Sequence, residues 1–325
     1  MPKDWSRRRF LAMTAGVAAV AAGCSEKPGE VAKDGSVTVK HVFGETKVPA
    51  PPKRVVTAGF TEQDDLLAVG VVPIAVTNWW GDQPFGVWPW ALPKLGQAQP
   101  EVLSLADGIQ VDRIAALKPD LIVATNAGVD QDAYNKLSEI APTIPQSGQD
   151  AFFEPWKDQA ATIGQAVFKF DEMAALVKGV DDKFAAAGTN NPQFSGKKVL
   201  LLQGTFVDDS VVATMAGWRT DFLTQMGFVV PDSINAFGRD HRAFIPRNQM
   251  VSVLDAADVL VWTTESAEDE GRLAMDPTFK QLKATAAERN IFTGKDLAGA
   301  IAFSSPLSYP VVADQFPPAL AKALG

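Results

Sequence analysis

The sequence predicts an α/β protein of two lobes that are joined by one long helix. Short β-branched runs alternate with helical patterns along most of the chain, which is typical of α/β folds with parallel strands. Residues 65–73 resemble residues 221–231, and a helix-to-strand unit follows later in each half, at 114–125 and 253–264. The chain of 325 residues also exceeds the usual size of one domain.

The first 23 residues predict a signal for export. They contain the arginine pair Arg7 and Arg8, followed by the apolar run 11–20, in the pattern of a twin-arginine signal. The apolar run is shorter than the roughly 20 residues that a membrane-spanning helix needs. We therefore expect residues 1–23 to be removed and the remainder to act outside the cytoplasm.

The only cysteine of the chain, Cys24, follows directly on this signal. A single cysteine cannot form an internal disulfide, so it is either a stray thiol or a site of modification. The small residues Ala21, Ala22 and Gly23 before it are typical of a lipoprotein cleavage site. We expect acyl chains on Cys24 to anchor the protein to the cell membrane, and residues 24–37 to form a flexible tether.

The charge of the exported part excludes nucleic acid as a partner. The whole chain carries a net charge of −8, and loss of residues 1–23 removes four basic residues and one acidic residue, which leaves −11. A field of that sign repels phosphate backbones.

Six short runs are the strand candidates of the two lobes. We place the N-terminal lobe at 38–153 and the C-terminal lobe at 189–325. The predicted strands are 54–59, 73–77, 121–125, 198–203, 259–263 and 290–293.

A long helical pattern lies between the lobes, over residues 154–188. Apolar residues follow three-and-four spacing there, and only Asp181 interrupts the stripe. At 1.5 Å per residue, one helix of this length would be roughly 50 Å long, which suits a stiff strut. The stripe consists of Trp156, Ala160, Ile163, Val167, Phe170, Ala174, Val177 and Phe184.

The sequence gives little indication of catalytic activity. Its two histidines, His41 and His241, are far apart, and no phosphate-binding loop, nucleophile elbow or metal-ligand pair is found. We expect a protein without catalysis, metal site or cofactor.

Aromatic residues and arginines give the strongest binding signal. Four of the eight tryptophans fall in the loop 78–90, and arginines cluster on two loops of the second half. Packing under the loop and surface ion pairs are the alternatives for individual residues. The predicted ligand-binding residues are Trp79, Trp80, Trp88, Trp90, Phe206, Trp218, Arg219, Arg239, Arg242 and Tyr309.

Five motifs follow one another in a fixed order, at 51–57, 66–76, 111–123, 219–227 and 256–262. Through them the chain resembles the iron-siderophore substrate-binding lipoproteins of ABC importers, the class III periplasmic binding proteins with a helical backbone, in their actinobacterial form. The resemblance covers about residues 38–325 and implies two Rossmann-like lobes.

The resemblance implies capture of a ferric siderophore and its delivery to a membrane permease, by a protein expected to be a monomer. Members of the family dock on arginine pockets of the permease through one acidic residue on each lobe. Glu62 or Asp64 occupies that place in the first lobe. The second lobe reads Pro246-Arg247-Asn248-Gln249, where an acid is commoner, so docking by paired acids is in question.

Two other functions stay open at this point. Haem is the alternative ligand within the same family, and Tyr309, His241 or a methionine would then supply the axial ligand. The other alternative is a cell-envelope interaction protein without transport.

Overall fold

The computed structural model describes residues 29–325, so the predicted export signal and lipidation site at Cys24 lie outside the described residues. The described part forms two α/β lobes, each built on its own sheet. The prediction of a two-lobe α/β protein is confirmed.

The N-terminal lobe has a five-stranded parallel sheet in the order β5-β4-β3-β6-β7. A hairpin of β1 (Val37–His41) and β2 (Gly44–Val48) precedes it. The sheet strands are β3 (Val55–Thr57), β4 (Ala75–Thr77), β5 (Glu101–Leu103), β6 (Leu121–Ala124) and β7 (Thr143–Pro145). The helices are α1 (Glu62–Ala68), α2 (Leu92–Leu95), α3 (Val111–Ala116) and α4 (Gln131–Ser138).

The C-terminal lobe has a six-stranded mixed sheet in the order β10-β11-β9-β8-β12-β13. Strands β8, β12 and β13 are parallel, whereas β9, β10 and β11 pair antiparallel. The strands are β8 (Val199–Gln203), β9 (Ser210–Thr214), β10 (Gly238–Arg239), β11 (Arg242–Pro246), β12 (Val259–Thr263) and β13 (Asn290–Phe292). The helices are α7 (Asp221–Gln225), α8 (Met250–Leu254), α9 (Ala267–Met275), α10 (Lys283–Ala286), α11 (Gly294–Phe303) and α12 (Ser308–Leu324).

Each of the six predicted strands contains an observed one, because buried parallel strands are continuous apolar runs. Residues of β6 and β8, for example, are buried almost throughout. The antiparallel strands β9, β10 and β11, the outer strands β5 and β7, and the hairpin at 37–48 were not predicted.

The linking segment differs from the prediction of one helix over 154–188. It forms two helices, α5 (Trp156–Ala166) and α6 (Phe170–Asn190). They fold back on each other, since the Lys157 ammonium near the start of α5 lies 2.7 Å from the Asp181 carboxylate in the middle of α6. This ion pair explains why a charged residue, Asp181, interrupts the apolar stripe: it joins the two helices.

The turn between α5 and α6 explains why the spacing of apolar residues did not indicate that the segment forms two helices. Phe168 adopts the left-handed conformation (φ 62°), and the Lys169 N–H donates to the Gly164 carbonyl at 2.7 Å. This is a Schellman ending, which usually has glycine at the left-handed position. Val167, Phe168 and Lys169 contain no glycine or proline to mark it.

Helix α6 bridges the lobes. Met173, near its start, packs in the core of the N-terminal lobe, and Phe184 and Ala187 pack in the core of the C-terminal lobe. Its 21 residues give a strut of roughly 30 Å rather than 50 Å.

Candidate functional site

A cavity of about 390 Å³ lies between the two lobes. Three aromatic side chains of the N-terminal lobe, Trp79, Trp80 and Phe153, form one wall. The C-terminal lobe supplies the opposite wall from β8, β9, β11, the end of β12 and helix α11. Clefts between domains that combine apolar walls with a few polar groups are the usual form of a ligand site.

The aromatic wall consists of rings that pack against one another. The Trp79 ring lies 4.8 Å from the Phe153 ring and 5.7 Å from the Phe60 ring, centroid to centroid. Trp80 meets Trp79 edge to face at 6.0 Å. This side of the cavity therefore suits a partly apolar ligand with exposed flat surfaces.

Arg219 faces the cavity from the C-terminal lobe. Its guanidinium lies 4.2 Å from the centroid of the Trp218 ring and 5.4 Å from that of Phe153, and it donates to the Phe153 carbonyl at 3.3 Å. Burial lowers the pKa of Arg219 to about 10, with a further contribution from the Arg242 charge. Arg219 is thus still a cation at neutral pH.

Arg242, the first residue of β11, also lines the cavity. The ion pairs found within residues 29–325 include neither Arg219 nor Arg242. Two guanidinium groups without carboxylate partners, opposite an aromatic wall, leave a place for the oxygens of an anionic ligand.

The predicted Arg239 and its neighbour in sequence Arg247 have different surroundings. Arg239 is exposed outside the cavity, where its guanidinium lies 5.8 Å from the Phe244 ring. Arg247 pairs with Asp209 at 2.6 Å and also with Asp276.

Trp88 and Trp90 lie in the contact between the lobes instead of the cavity wall. Their rings stack at 4.9 Å and 9°, and both meet Phe303 of α11 edge to face. The side chain of Trp88 is 1% exposed. Its indole lies so close to Gly299 that a Cβ atom there would come within 2.5 Å of it.

The structure places Tyr309, Phe206 and Trp218 outside the cavity lining. Tyr309 is 2% exposed within a cluster with Trp156, Phe184 and Phe222, and burial raises its pKa to about 12. Phe206 stacks under the Arg247 guanidinium at 4.0 Å, and Trp218 lies behind Arg219.

The named haem ligands do not meet at the cavity. Tyr309 is in the core, and His241 is exposed near Asp150, 3.9 Å away, and does not line the cavity. Among residues 29–325, no group of three or more His, Cys, Asp or Glu could hold a metal ion.

The two residues predicted to dock on a permease, Glu62 and Asp64, are both 0% exposed. Glu62 accepts from the N–H groups of Gly59 at 3.0 Å and Asn126 at 2.9 Å, and from the Thr125 hydroxyl at 3.2 Å. Burial raises its pKa to about 8. Since α1 is buried on every side, neither acid can present a charge at the surface, and this position does not provide a docking acid.

Asp64 joins the lobes. Its Oδ2 atom accepts from the Trp90 indole N–H at 2.7 Å and from the Ser305 hydroxyl at 2.7 Å. Ser305 is also fully buried, and its hydroxyl oxygen accepts from the Ser308 N–H at 2.9 Å, at the start of α12. Burial raises the pKa of Asp64 to about 6.

Some cavity residues were missed by the reasoning from sequence. Gln203 and Thr263 are the last residues of their strands, and Glu265 follows two positions later. The rule that ligands bind at the carboxyl ends of parallel strands could have found them. No comparable feature of the sequence identifies Phe153 as a residue that lines the cavity.

Comparisons with known proteins agree with this geometry. Residues 55–297 match the periplasmic binding protein family. The putative ABC transporter substrate-binding lipoprotein YhfQ of Bacillus subtilis is 31% identical over 64% of this chain and 62% of its own length. The chain thus spans less than two thirds of that relative.

Two further proteins extend the comparison. The probable siderophore-binding lipoprotein YfiY of Bacillus subtilis is 28% identical over 75% of this chain and 74% of its own length. The crystal structure of a periplasmic solute binding protein from Mycobacterium smegmatis is 65% identical, covers 90% of this chain and 100% of that chain, and has a TM-score of 0.86.

Proposed function

Since the chain belongs to the periplasmic binding protein family, whose members are binding and transport components and not enzymes, we propose that it captures a ferric siderophore for an ABC importer. The observation that carries this proposal is the cavity between the lobes, with an aromatic wall opposite Arg219 and Arg242. The name of YfiY, a probable siderophore-binding lipoprotein, supports the ligand class.

The chemistry of the cavity fits this ligand class. Ferric chelates expose anionic oxygens around the metal and apolar or aromatic surfaces beyond them. A charge-assisted hydrogen bond to a guanidinium contributes about 1.5–3 kcal/mol, and its planar fork suits paired oxygens. The chelate brings its own iron, so the protein needs no metal ligands for this function.

Tryptophan-fluorescence titration with a panel of ferric siderophores and haemin tests the proposal. We expect at least one ferric siderophore to bind and Arg219→Ala to weaken it by roughly one to two powers of ten, at about 1.4 kcal/mol per decade. Arg219→Lys should recover only part of the loss. Arg247→Ala is the matched control, because Arg247 already pairs with Asp209 outside the cavity.

Three outcomes of the titration would contradict the proposal. Binding of haemin alone would favour the haem alternative. Binding of no compound would favour an envelope interaction protein. Equal losses in Arg219→Ala and Arg247→Ala would show that Arg219 does not contact the ligand.

The proposed place of action is the outer face of the cell membrane, with the lipid anchor on Cys24 and an ABC permease as partner. Within residues 29–325, no helix is long and apolar enough to cross a membrane. Cys24→Ala should release the protein or leave it unprocessed, as fractionation would show. Replacement of Arg7 and Arg8 by Lys should keep the precursor in the cytoplasm. An acylated membrane protein in the Cys24 variant would contradict the anchor.

A further inference from the structure

The cavity carries charges of both signs. Besides Arg219 and Arg242, a third charged residue, Glu265, lines it. Glu265 follows β12 by two residues, whereas Arg242 begins β11. Strands β9 and β8 lie between these two strands in the sheet. Three strand spacings of about 4.8 Å place the two residues at least roughly 14 Å apart.

The position of Glu265 is fixed by the start of α9. Its backbone N–H donates to the Asp269 carboxylate at 3.2 Å, and the neighbouring Ser266 caps the helix by accepting from the Asp269 N–H. The side chain thus leaves an ordered turn, and Glu265 lines the cavity. A carboxylate on such a turn can select a ligand group at a defined place.

The Glu265 carboxylate has no cation within ion-pair distance in the described part of the chain. Partial burial raises its pKa, the Asp269 charge adds to this, and the Lys295 charge opposes it. A cationic group of a ligand would compensate this charge. Arg242 does not do so, because strands β9 and β8 separate its strand from the end of β12.

We infer that Glu265 recognises a protonated amine of the ligand, while Arg219 and Arg242 face the oxygens of the chelate. The inference rests on the proposed function and narrows its substrate class to ferric siderophores that carry a free amine on an arm beyond the chelating groups. The aromatic wall of Trp79, Trp80 and Phe153 covers the middle of such a ligand.

A matched pair of ligands tests this inference. Ferrioxamine B is a ferric trihydroxamate with one free amine, and N-acetylation removes the charge while leaving the chelate unchanged. Calorimetry should show about tenfold or greater preference for the amine form in the parent protein, as expected for one charge-assisted bond. Glu265→Gln should abolish the preference without changing the affinity for the acetylated form, which also verifies that the variant is folded.

Glu268→Gln is the control variant. Glu268 is an exposed acid of α9 three residues further along, and it does not line the cavity. It should keep the full preference for the amine. A parent protein that binds both forms equally, or only amine-free chelates, would overturn the inference and leave the proposed function standing, as would a preference that survives in Glu265→Gln. Failure of every ferric complex in the panel would instead overturn the proposed function.

Discussion

The two ends of the tryptophan-rich loop have different surroundings, although they are separated by only a few residues. Trp79 and Trp80 form a wall of the cavity. Trp88 and Trp90 stack on each other and on Phe303 of the opposite lobe. One end is therefore available to a ligand and the other holds the lobes together. A cluster of tryptophans in a sequence does not separate these two roles.

The loop can serve both purposes because it folds back on itself. Gly81 has φ 91° and lies so close to the Trp88 indole that a Cβ atom there would come within 2.4 Å of it. Trp80 in turn meets Trp88 edge to face at 5.1 Å. The cavity wall thus rests directly on the contact between the lobes, which we call the interlobe joint: Trp88, Trp90, Phe303, Asp64 and Ser305.

The largest expected effect is a difference in the free energy of unfolding between variants at the two ends of the tryptophan-rich loop. Trp88→Ala removes a ring that is 1% exposed and leaves a cavity against Gly299, so the free energy of unfolding should fall by about 3–5 kcal/mol. Trp80→Ala removes a partly exposed ring. It should cost well under half as much stability but should weaken ligand binding. Urea unfolding measures the loss of stability in both variants, and calorimetric titration measures the loss of ligand affinity. Equal stability losses would contradict the different roles of the two ends of the loop.

The next prediction concerns the pH dependence of the interlobe joint. The pKa of Asp64 is about 6 in the fold, against 3.8 for an ordinary aspartate, because of burial. The folded state therefore holds this proton more tightly than the unfolded chain. Stability should decline as the pH rises from about 4 through 6, with a full cost of roughly 3 kcal/mol above that.

Asp64→Asn tests this sign directly, because an amide oxygen can still accept from Ser305 or Trp90 and does not titrate. Thermal unfolding from pH 4 to 7 should show a smaller decline in Asp64→Asn than in the parent. Asp132→Asn, an exposed acid of α4, is the matched control and should follow the parent curve. A parallel decline in Asp64→Asn would show that Asp64 is not the titrating group. A remaining decline is expected to begin in the same range and to continue above pH 6, because burial raises the pKa of Glu154 to about 7 and that of Glu62 to about 8.

The parts of the fold that the sequence predicted are those that depend on local pattern. Buried strands such as β8 and β12 are apolar runs, and their order along the chain indicated two α/β lobes. The break between α5 and α6 was hidden, because Phe168 takes a left-handed conformation without a glycine to mark it. The turn brings Gly164 so close to Met173 that a Cβ atom on Gly164 would lie 2.7 Å from that side chain, a contact between the two helices that the apolar periodicity does not reveal.

The candidate site was predictable by residue type but not by position. Of the tryptophans and arginines that the sequence clusters on loops, Trp79, Trp80, Arg219 and Arg242 line the cavity, whereas Trp88, Trp90, Trp218 and Arg239 do not. The burial of the acids in α1 could not be seen, because Glu62 and Asp64 are surrounded by segments distant in sequence, such as Asn126 and Ser305. Charged residue types give no sign that their surroundings are apolar.

The smallest expected effect is a change of shape on binding. The contacts that tie the lobes include α6, which contains no proline, and the interlobe joint. Ligand should therefore adjust side chains at the cavity end of the loop while the joint end stays in place. Small-angle scattering curves with and without the tightest ferric siderophore of the panel should nearly superimpose for the parent protein. In Trp88→Ala the joint is weakened, and a fall in radius of gyration on binding should become measurable. A large fall in the parent itself would show that α6 bends, with Gly179 as its weakest point, and that the joint opens in normal function.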